Sequence, residues 1–147
     1  MEEIRMLITA LVGCIGFSLL FHLKKRHIIL ASLGGVLTWA VYLAGIRMLE
    51  GIFLPTLLAS MVGTLYGEIF ARLRKAPATL YLIIAVLPLI PGSTLYYTMS
   101  YGVQKKWEMC EYFGNVTGQY ALAIAAGMSL VWTLFSMFFG KRNKEEK

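Results

Sequence analysis

The segment Leu87-Pro88-Leu89-Ile90-Pro91-Gly92-Ser93-Thr94-Leu95-Tyr96-Tyr97 interrupts an apolar stretch that begins near Pro77 and ends near Tyr101. Proline lacks a backbone N–H and clashes with the carbonyl four residues earlier, and it drives the preceding residue out of the helical conformation. Two prolines three residues apart, followed by glycine, therefore predict a broken helix. At about 1.5 Å per residue, the break falls roughly 16–22 Å from Pro77, near the midplane of a membrane.

Apolar blocks lie on both sides of this segment, and short charged gaps separate them. Of the 147 residues, 58% are hydrophobic and 15% are charged, whereas about a quarter of a typical soluble domain is charged. A helix needs about 20 mostly apolar residues to span the hydrocarbon core. The sequence therefore predicts an all-α, polytopic membrane protein, with one transmembrane domain over residues 1–147 and no separate water-soluble domain. The predicted spans are residues 4–21, 28–46, 52–71, 77–101 and 116–139, the fourth broken at Pro88-Pro91-Gly92.

The residues at the ends of these apolar blocks support two further predictions. Glu2 and Glu3 precede the first block, where a cleavable signal peptide would be basic, so the first helix is expected to remain in the mature protein. The residues from Gln104 to Glu111 are polar and predict a loop before the last span.

Basic residues predict the orientation in the membrane. Ten of them follow the first, third and fifth spans: Lys24, Lys25, Arg26, Arg72, Arg74, Lys75, Lys141, Arg142, Lys144 and Lys147. The opposite side holds Arg5, Arg47, Lys105 and Lys106. The positive-inside rule then predicts a cytoplasmic C-terminus and an external N-terminus. Because the net charge of +6 is confined to clusters beside the spans, nucleic-acid binding is not expected.

The interrupted span is the candidate binding site. Unpaired backbone at membrane depth is tolerated only where it packs in protein or lines a wet cavity. A half-helix starting near Gly92, capped by Ser93 or Thr94, would offer free amides and a positive dipole end to a carboxylate. Broken helices at this depth recur in secondary transporters. The predicted substrate-binding residues are Pro88, Pro91, Gly92, Ser93, Thr94, Tyr96 and Tyr97. Two alternatives stay open: the prolines are packing kinks, and the two tyrosines lie at the outer interface.

Two features of the third span carry further predictions. Glu68 is the acidic residue well within a span, which suggests coupling to an ion gradient, but it also lies one turn from Arg72 and can form an i,i+4 pair. Small residues recur at every fourth position, a spacing that lets helices approach closely. These helix-packing residues, Ala59, Gly63, Gly67 and Ala71, predict a seam within the chain or with a second subunit. Ala121 and Ala125 predict a weaker seam on the last span.

The remaining polar residues do not predict catalysis. Asn115 and Gln119 could line a permeation path, or Asn115 could cap the last span. His22 and His27 are expected at the membrane interface. The cysteine and histidine spacings fit no metal site, and no nucleophile, phosphate loop or carboxylate pair is recognisable. We expect no enzymatic activity, no metal and no cofactor.

Several short motifs occur together along the chain. They are Ala59-Ser60-Met61-Val62-Gly63-Thr64, Ala71-Arg72, Lys75-Ala76-Pro77-Ala78, Pro88-Leu89-Ile90-Pro91-Gly92-Ser93 and Tyr96-Tyr97. In this combination the chain resembles the threonine/serine exporter family, specifically its small five-helix subunit, which is equivalent to the C-terminal half of the fused exporters. The matched positions are Ser60, Gly63, Pro77, Pro88, Pro91, Gly92, Ser93 and Tyr96, as motif positions rather than known ligands.

The resemblance implies a location, a function and a partner. The location is the plasma (inner) membrane of a bacterium. The resemblance implies efflux of small carboxylate metabolites, either threonine and serine or a dicarboxylate such as succinate, driven by the membrane gradient. It also implies a larger membrane subunit of the same family, with a cytoplasmic N-terminal domain, as the other half of a hetero-oligomer. From the residues alone, a non-transporting scaffold or assembly subunit and a small homo-oligomeric channel or transporter remain alternatives.

Overall fold

The structure, a computed structural model, describes residues 2–140, and the side chains of residues 4–137. Six α-helices follow one another, and no strand occurs among the described residues. They are α1 (Glu2–Leu20), α2 (Lys25–Met48), α3 (Phe53–Arg74), α4 (Ala78–Val86), α5 (Gly92–Val103) and α6 (Trp107–Gly140), with a 3₁₀ turn at Leu87–Leu89 between α4 and α5. The predicted all-α class is confirmed.

Length and composition identify the helices that can cross a membrane. Within the described residues, three helices qualify alone: Lys25–Met48, Phe53–Arg74 and Trp107–Met137. Ala78–Leu89 and Gly92–Val103 qualify together as one bent span. The chain is therefore a multi-pass membrane protein with three or four such spans. A fifth crossing, by α1, stays a prediction because its apolar part, Ile4–Leu20, is shorter.

The last helix begins earlier than the sequence suggested. α6 starts at Trp107, so most of the predicted polar loop from Gln104 to Glu111 is helical. Asn115 lies inside α6 and does not cap it. The helix extends because its first turns pack on α5, where the ring of Phe113 stacks on Tyr101 with the ring centroids 5.6 Å apart. These contacts outweigh the polar composition of the segment.

Helix packing follows a simple order. α2 packs against α1, α3 and α4, α3 also packs against α4 and α6, and α5 packs along the first half of α6. The buried core is small, and many large apolar side chains face outward. This is expected in lipid, because tight backbone packing rather than apolar burial drives association of membrane helices.

The small residues of α3 contact other helices of the same chain. Ala59, Gly63, Gly67 and Ala71 are all buried. A β-carbon on Gly63 would lie 2.5 Å from the hydroxyl oxygen of Thr38 in α2. A β-carbon on Gly67 would lie 3.2 Å from the backbone nitrogen of Leu82 in α4.

The seam on α6 uses a different face from the predicted one. Ala121 and Ala125 are exposed, whereas Ala123 and Gly127 are buried. A β-carbon on Gly127 would lie 2.8 Å from the carbonyl oxygen of Leu57 in α3. Within the chain, packing against α3 therefore selects Ala123 and Gly127 rather than the predicted pair, because small residues fall on neighbouring faces of α6. Contact of Ala121 and Ala125 with a second subunit stays a prediction.

Two of the three basic clusters lie at one end of the bundle. The loop between α1 and α2 and the loop between α3 and α4 meet there, and His22, Lys24 and Lys75 line one cavity. The third cluster, residues 141–147, lies outside the described residues. The orientation of the bundle across the membrane therefore stays a prediction.

Candidate substrate site at the helix break

The fourth span is broken where the two prolines predict it. α4 ends at Val86, the 3₁₀ turn follows, and Ile90 is extended with φ −62° and ψ 120°, as expected for a residue before proline. α5 then starts at Gly92, at 60° to the preceding segment. The predicted break and its position at Gly92 are confirmed.

The backbone carbonyls that the prolines release find other donors. Pro88 cannot bond to the carbonyl of Ile84, which instead accepts a hydrogen bond from the thiol of Cys14 on α1 at 3.7 Å. Pro91 cannot bond to the carbonyl of Leu87, which accepts from the amide of Ile90 at 3.1 Å. Such replacement bonds make a break tolerable inside a membrane.

The start of α5 differs from the expected cap. Pro91 is the N-cap residue, and no side chain caps the helix. The expectation that Ser93 or Thr94 caps it was wrong, because the Thr94 hydroxyl donates to the carbonyl of Pro91 at 3.1 Å instead. The first intrahelical bond runs from the amide of Leu95 to the same carbonyl. The amides of Ser93 and Thr94 therefore have no acceptor within the helix.

A cavity of about 330 Å³, here called the break pocket, lies against this helix start. It is lined by Trp39, Tyr42, Pro88, Leu89, Ile90, Pro91, Gly92, Ser93, Thr94 and Tyr120. Five of the seven predicted substrate-binding residues thus share one cavity. Tyr96 and Tyr97 do not line it; they are 66% and 44% exposed, and the ring of Tyr97 contacts that of Phe113 of α6 at a tilt of 35°.

Three aromatic residues of the break pocket were missed by the sequence analysis. Trp39 stacks on Tyr42 with ring centroids 5.0 Å apart, and the hydroxyls of Tyr42 and Tyr120 share a hydrogen bond. The indole nitrogen of Trp39 is buried and has no hydrogen-bond partner among the described residues. The sequence did contain a signal for Trp39. Tryptophan and tyrosine usually lie at membrane interfaces, but Trp39 is roughly 21 Å along α2 from Lys25, which places it inside the span.

A second cavity adjoins the break pocket and brings a cation near it. This cavity of about 350 Å³ is lined by Arg5, Met6, Thr9 and Ala10 of α1, and it shares Trp39 and Pro88 with the break pocket. The polar groups around the two cavities therefore include two free helix-start amides, an indole N–H, two phenols and a guanidinium. Because most of these groups donate hydrogen bonds, the arrangement suits an anion with several acceptor oxygens.

Glu68 lies away from this cavity and has a partner. Its carboxylate oxygen is 3.6 Å from Nε of Arg72, and its side chain is 7% exposed against 51% for the arginine. The guanidinium also lies over the ring of Phe135, 4.9 Å from the centroid. The i,i+4 pair that the sequence suggested is thus present.

The other polar candidates also lie apart from the break pocket. Asn115 is exposed, Gln119 is half-buried, and neither lines the cavity. Within residues 2–140, no group of three histidine, cysteine or acidic side chains could hold a metal ion.

Comparison with known proteins gives one match. The family model described as threonine/serine exporter, ThrE, matches residues 6–134. This range contains the break, every residue that lines the break pocket and all six helices in whole or in part, whereas Arg5 of the adjoining cavity lies just before it. No curated protein and no solved structure matches the chain.

Proposed function

The chain belongs to the threonine/serine exporter family, and on that premise we propose that it is a subunit of a secondary transporter for small carboxylate metabolites. The substrate is threonine or serine, or a dicarboxylate such as succinate. The chain and a larger membrane subunit of the same family together export this substrate across the bacterial inner membrane. The function is transport rather than catalysis.

The observation that carries the proposal is that three donors without an acceptor in the helix or a side-chain partner belong to residues that line the break pocket. The amides of Ser93 and Thr94 lack an acceptor within α5, and the indole N–H of Trp39 is buried without a partner. A buried donor without a partner costs about 1–3 kcal/mol. A bound carboxylate would supply the missing acceptors, and the positive end of the α5 dipole would favour its charge.

The neighbouring groups support a small substrate. The break pocket of about 330 Å³ falls at the lower end of the range for small-molecule sites, roughly 300–1,000 Å³. Arg5 and Trp39 both line the adjoining cavity, where Arg5 can attract a carboxylate or hold the second carboxylate of a dicarboxylate. Serine, threonine and succinate all meet these requirements.

A pair of substitutions at Gly92 tests the site. A β-carbon at this position would meet no atom within 4 Å, so Gly92→Ala should fold and export like the wild type. Gly92→Leu extends a branched side chain from a residue that lines the pocket and should abolish export while insertion into the membrane stays normal. Export of labelled threonine, serine and succinate from vesicles measures both variants. Wild-type export by Gly92→Leu would remove the proposed site.

The partner is proposed from the exposed faces of the hairpin formed by α5 and α6. α5 has no buried residue, and among the described residues α6 is the helix with which it makes extensive contact. Its exposed side chains include Leu95, Tyr96, Met99 and Val103, an apolar surface of the kind that marks contact with another membrane protein or with lipid.

Coexpression separates the two-subunit proposal from self-assembly. The tagged chain should copurify with the larger family member, and vesicles should export substrate only when both are present. Full export by the chain alone would instead establish a homo-oligomeric transporter. Copurification without any export, at every candidate substrate, would establish a scaffold.

A further inference from the structure

A separate cavity, here called the basic pocket, lies at the end of the bundle where α1 and α3 end and α2 and α4 begin. It encloses about 270 Å³ between the loop that joins α1 to α2 and the loop that joins α3 to α4. Its lining residues are His22, Leu23, Lys24, His27, Lys75, Ala76, Pro77, Leu80 and Tyr81. Among the residues that the structure describes, no acidic residue lines this cavity. The pocket is therefore suited to an anion.

Two of its basic residues hold a backbone conformation that favours glycine. α1 and α3 both end in a turn in which an amide donates to the carbonyl five residues earlier, at 3.0 Å in each case. The residue at the turn is left-handed in both, with φ 53° for His22 and φ 50° for Lys75. Glycine is the usual residue there because it has no β-carbon. The chain instead places two side chains that can carry positive charge, and both reach the same cavity.

Helix starts add to the positive potential. α2 begins at Lys25 and α4 at Ala78, and no side chain caps either helix. The N-cap residues of these helices, Lys24 and Pro77, both line the pocket. The positive ends of two helix dipoles thus reinforce the lysine charges.

His27 is held in a fixed position at the wall of the pocket. Its Nδ1 shares a hydrogen bond with the hydroxyl of Tyr81, and the two rings meet edge to face with centroids 5.9 Å apart. Tyr81 is fully buried, so it fixes the imidazole ring. The other ring nitrogen of His27 remains available for a ligand.

We propose that the basic pocket binds a phosphate group, and that its occupant is the head group of an anionic phospholipid. The lysines, the histidines and the two helix starts would bind the phosphate oxygens. Leu23, Ala76 and Leu80 provide apolar walls beside them, which suits a glycerol backbone and the start of an acyl chain. The pocket lies at the basic end of the bundle, where α1 and α3 end and α2 and α4 begin, and basic pockets between membrane helices commonly hold such head groups.

The test uses Lys75→Gly, because this change removes the charge while it relieves the left-handed backbone. The detergent-purified protein is titrated with phosphatidylglycerol, and the rise in melting temperature gives an apparent affinity. We expect the affinity to fall about fivefold for Lys75→Gly, the effect of one lysine near a lipid head group. The melting temperature without lipid should stay the same or rise. Lys24→Gln should weaken binding by a similar factor.

Matched controls lie elsewhere in the chain. Lys105 has the same left-handed conformation, with φ 58°, but it does not line the basic pocket, so Lys105→Gly should leave the affinity unchanged. Lys25→Gln controls for Lys24→Gln, because Lys25 is its neighbour and also lies outside the lining.

Three results would overturn the proposal. Equal losses in Lys75→Gly and Lys105→Gly would show that net charge alone attracts the lipid. Equal stabilisation by phosphatidylcholine and phosphatidylglycerol would remove the charge selectivity. Saturable stabilisation by inorganic phosphate, without any by phosphatidylglycerol, would assign the pocket to a soluble anion.

Discussion

Replacing Trp39 by phenylalanine tests the break pocket, because the change should weaken substrate binding while it leaves the stability of the protein nearly unchanged. The change keeps an aromatic ring beside Tyr42 but deletes the buried N–H that has no partner. A hydrogen bond to a charged group contributes about 1.5–3 kcal/mol. If the indole binds the substrate carboxylate, its loss should therefore weaken binding roughly 10- to 100-fold.

The stability of the substrate-free protein should change little. An unpaired buried donor costs about 1–3 kcal/mol, which phenylalanine removes. The smaller ring buries less apolar surface, which costs roughly 1 kcal/mol. Because these terms oppose each other, the melting temperature should stay within about 4 °C of the wild type or rise.

Transport in proteoliposomes provides the measurement. The concentration of threonine, serine or succinate that gives half-maximal export should rise at least tenfold in Trp39→Phe, while the protein melts normally. Trp107→Phe is the control, because Trp107 is 69% exposed and does not line the break pocket. An unchanged half-maximal concentration in Trp39→Phe, or the same rise in both variants, would refute the role of the indole.

Three further substitutions test the packing around the site. Cys14→Ala deletes the thiol that meets the carbonyl freed at the break and should lower stability by about 1–3 kcal/mol; Cys14→Ser, which retains a donor, should lose less in the same melting experiment. Gly127→Ala places a β-carbon 2.8 Å from the α3 backbone and should destabilise the bundle by about 1–3 kcal/mol. An unchanged melting temperature would show that α6 does not pack this closely on α3. Glu68→Gln should cost less than about 1 kcal/mol because Arg72 is half exposed, and vesicles should still export substrate; loss of export driven by a pH gradient, with stability unchanged, would assign ion coupling to Glu68.

The features predicted best are those that depend on neighbouring residues in the chain. Pro88 and Pro91 act on the backbone within four residues, so the break and the new helix start at Gly92 could be located from sequence. Glu68 and Arg72 lie one turn apart on one helix, so their pairing was also predictable. In each case the energy involved is local and needs no knowledge of the fold.

The features predicted poorly depend on which helix faces which. The start of α6 was placed nine residues late because its polar first turns are stabilised by α5. The seam of α6 was assigned to Ala121 and Ala125, although packing against α3 selects Ala123 and Gly127. The expected caps failed for a local reason instead: Pro91 occupies the N-cap, so neither Ser93 nor Thr94 caps α5.

The sequence by itself determined a multi-pass helical membrane protein with a broken fourth span, since apolar run length and proline chemistry act along the chain. Only the tertiary structure decided what surrounds the break. Trp39 and Tyr120 lie 81 residues apart in the chain, and they reach one cavity because α2, α6 and the break converge there. Such convergence arises from close helix contacts, and no short stretch of sequence records it.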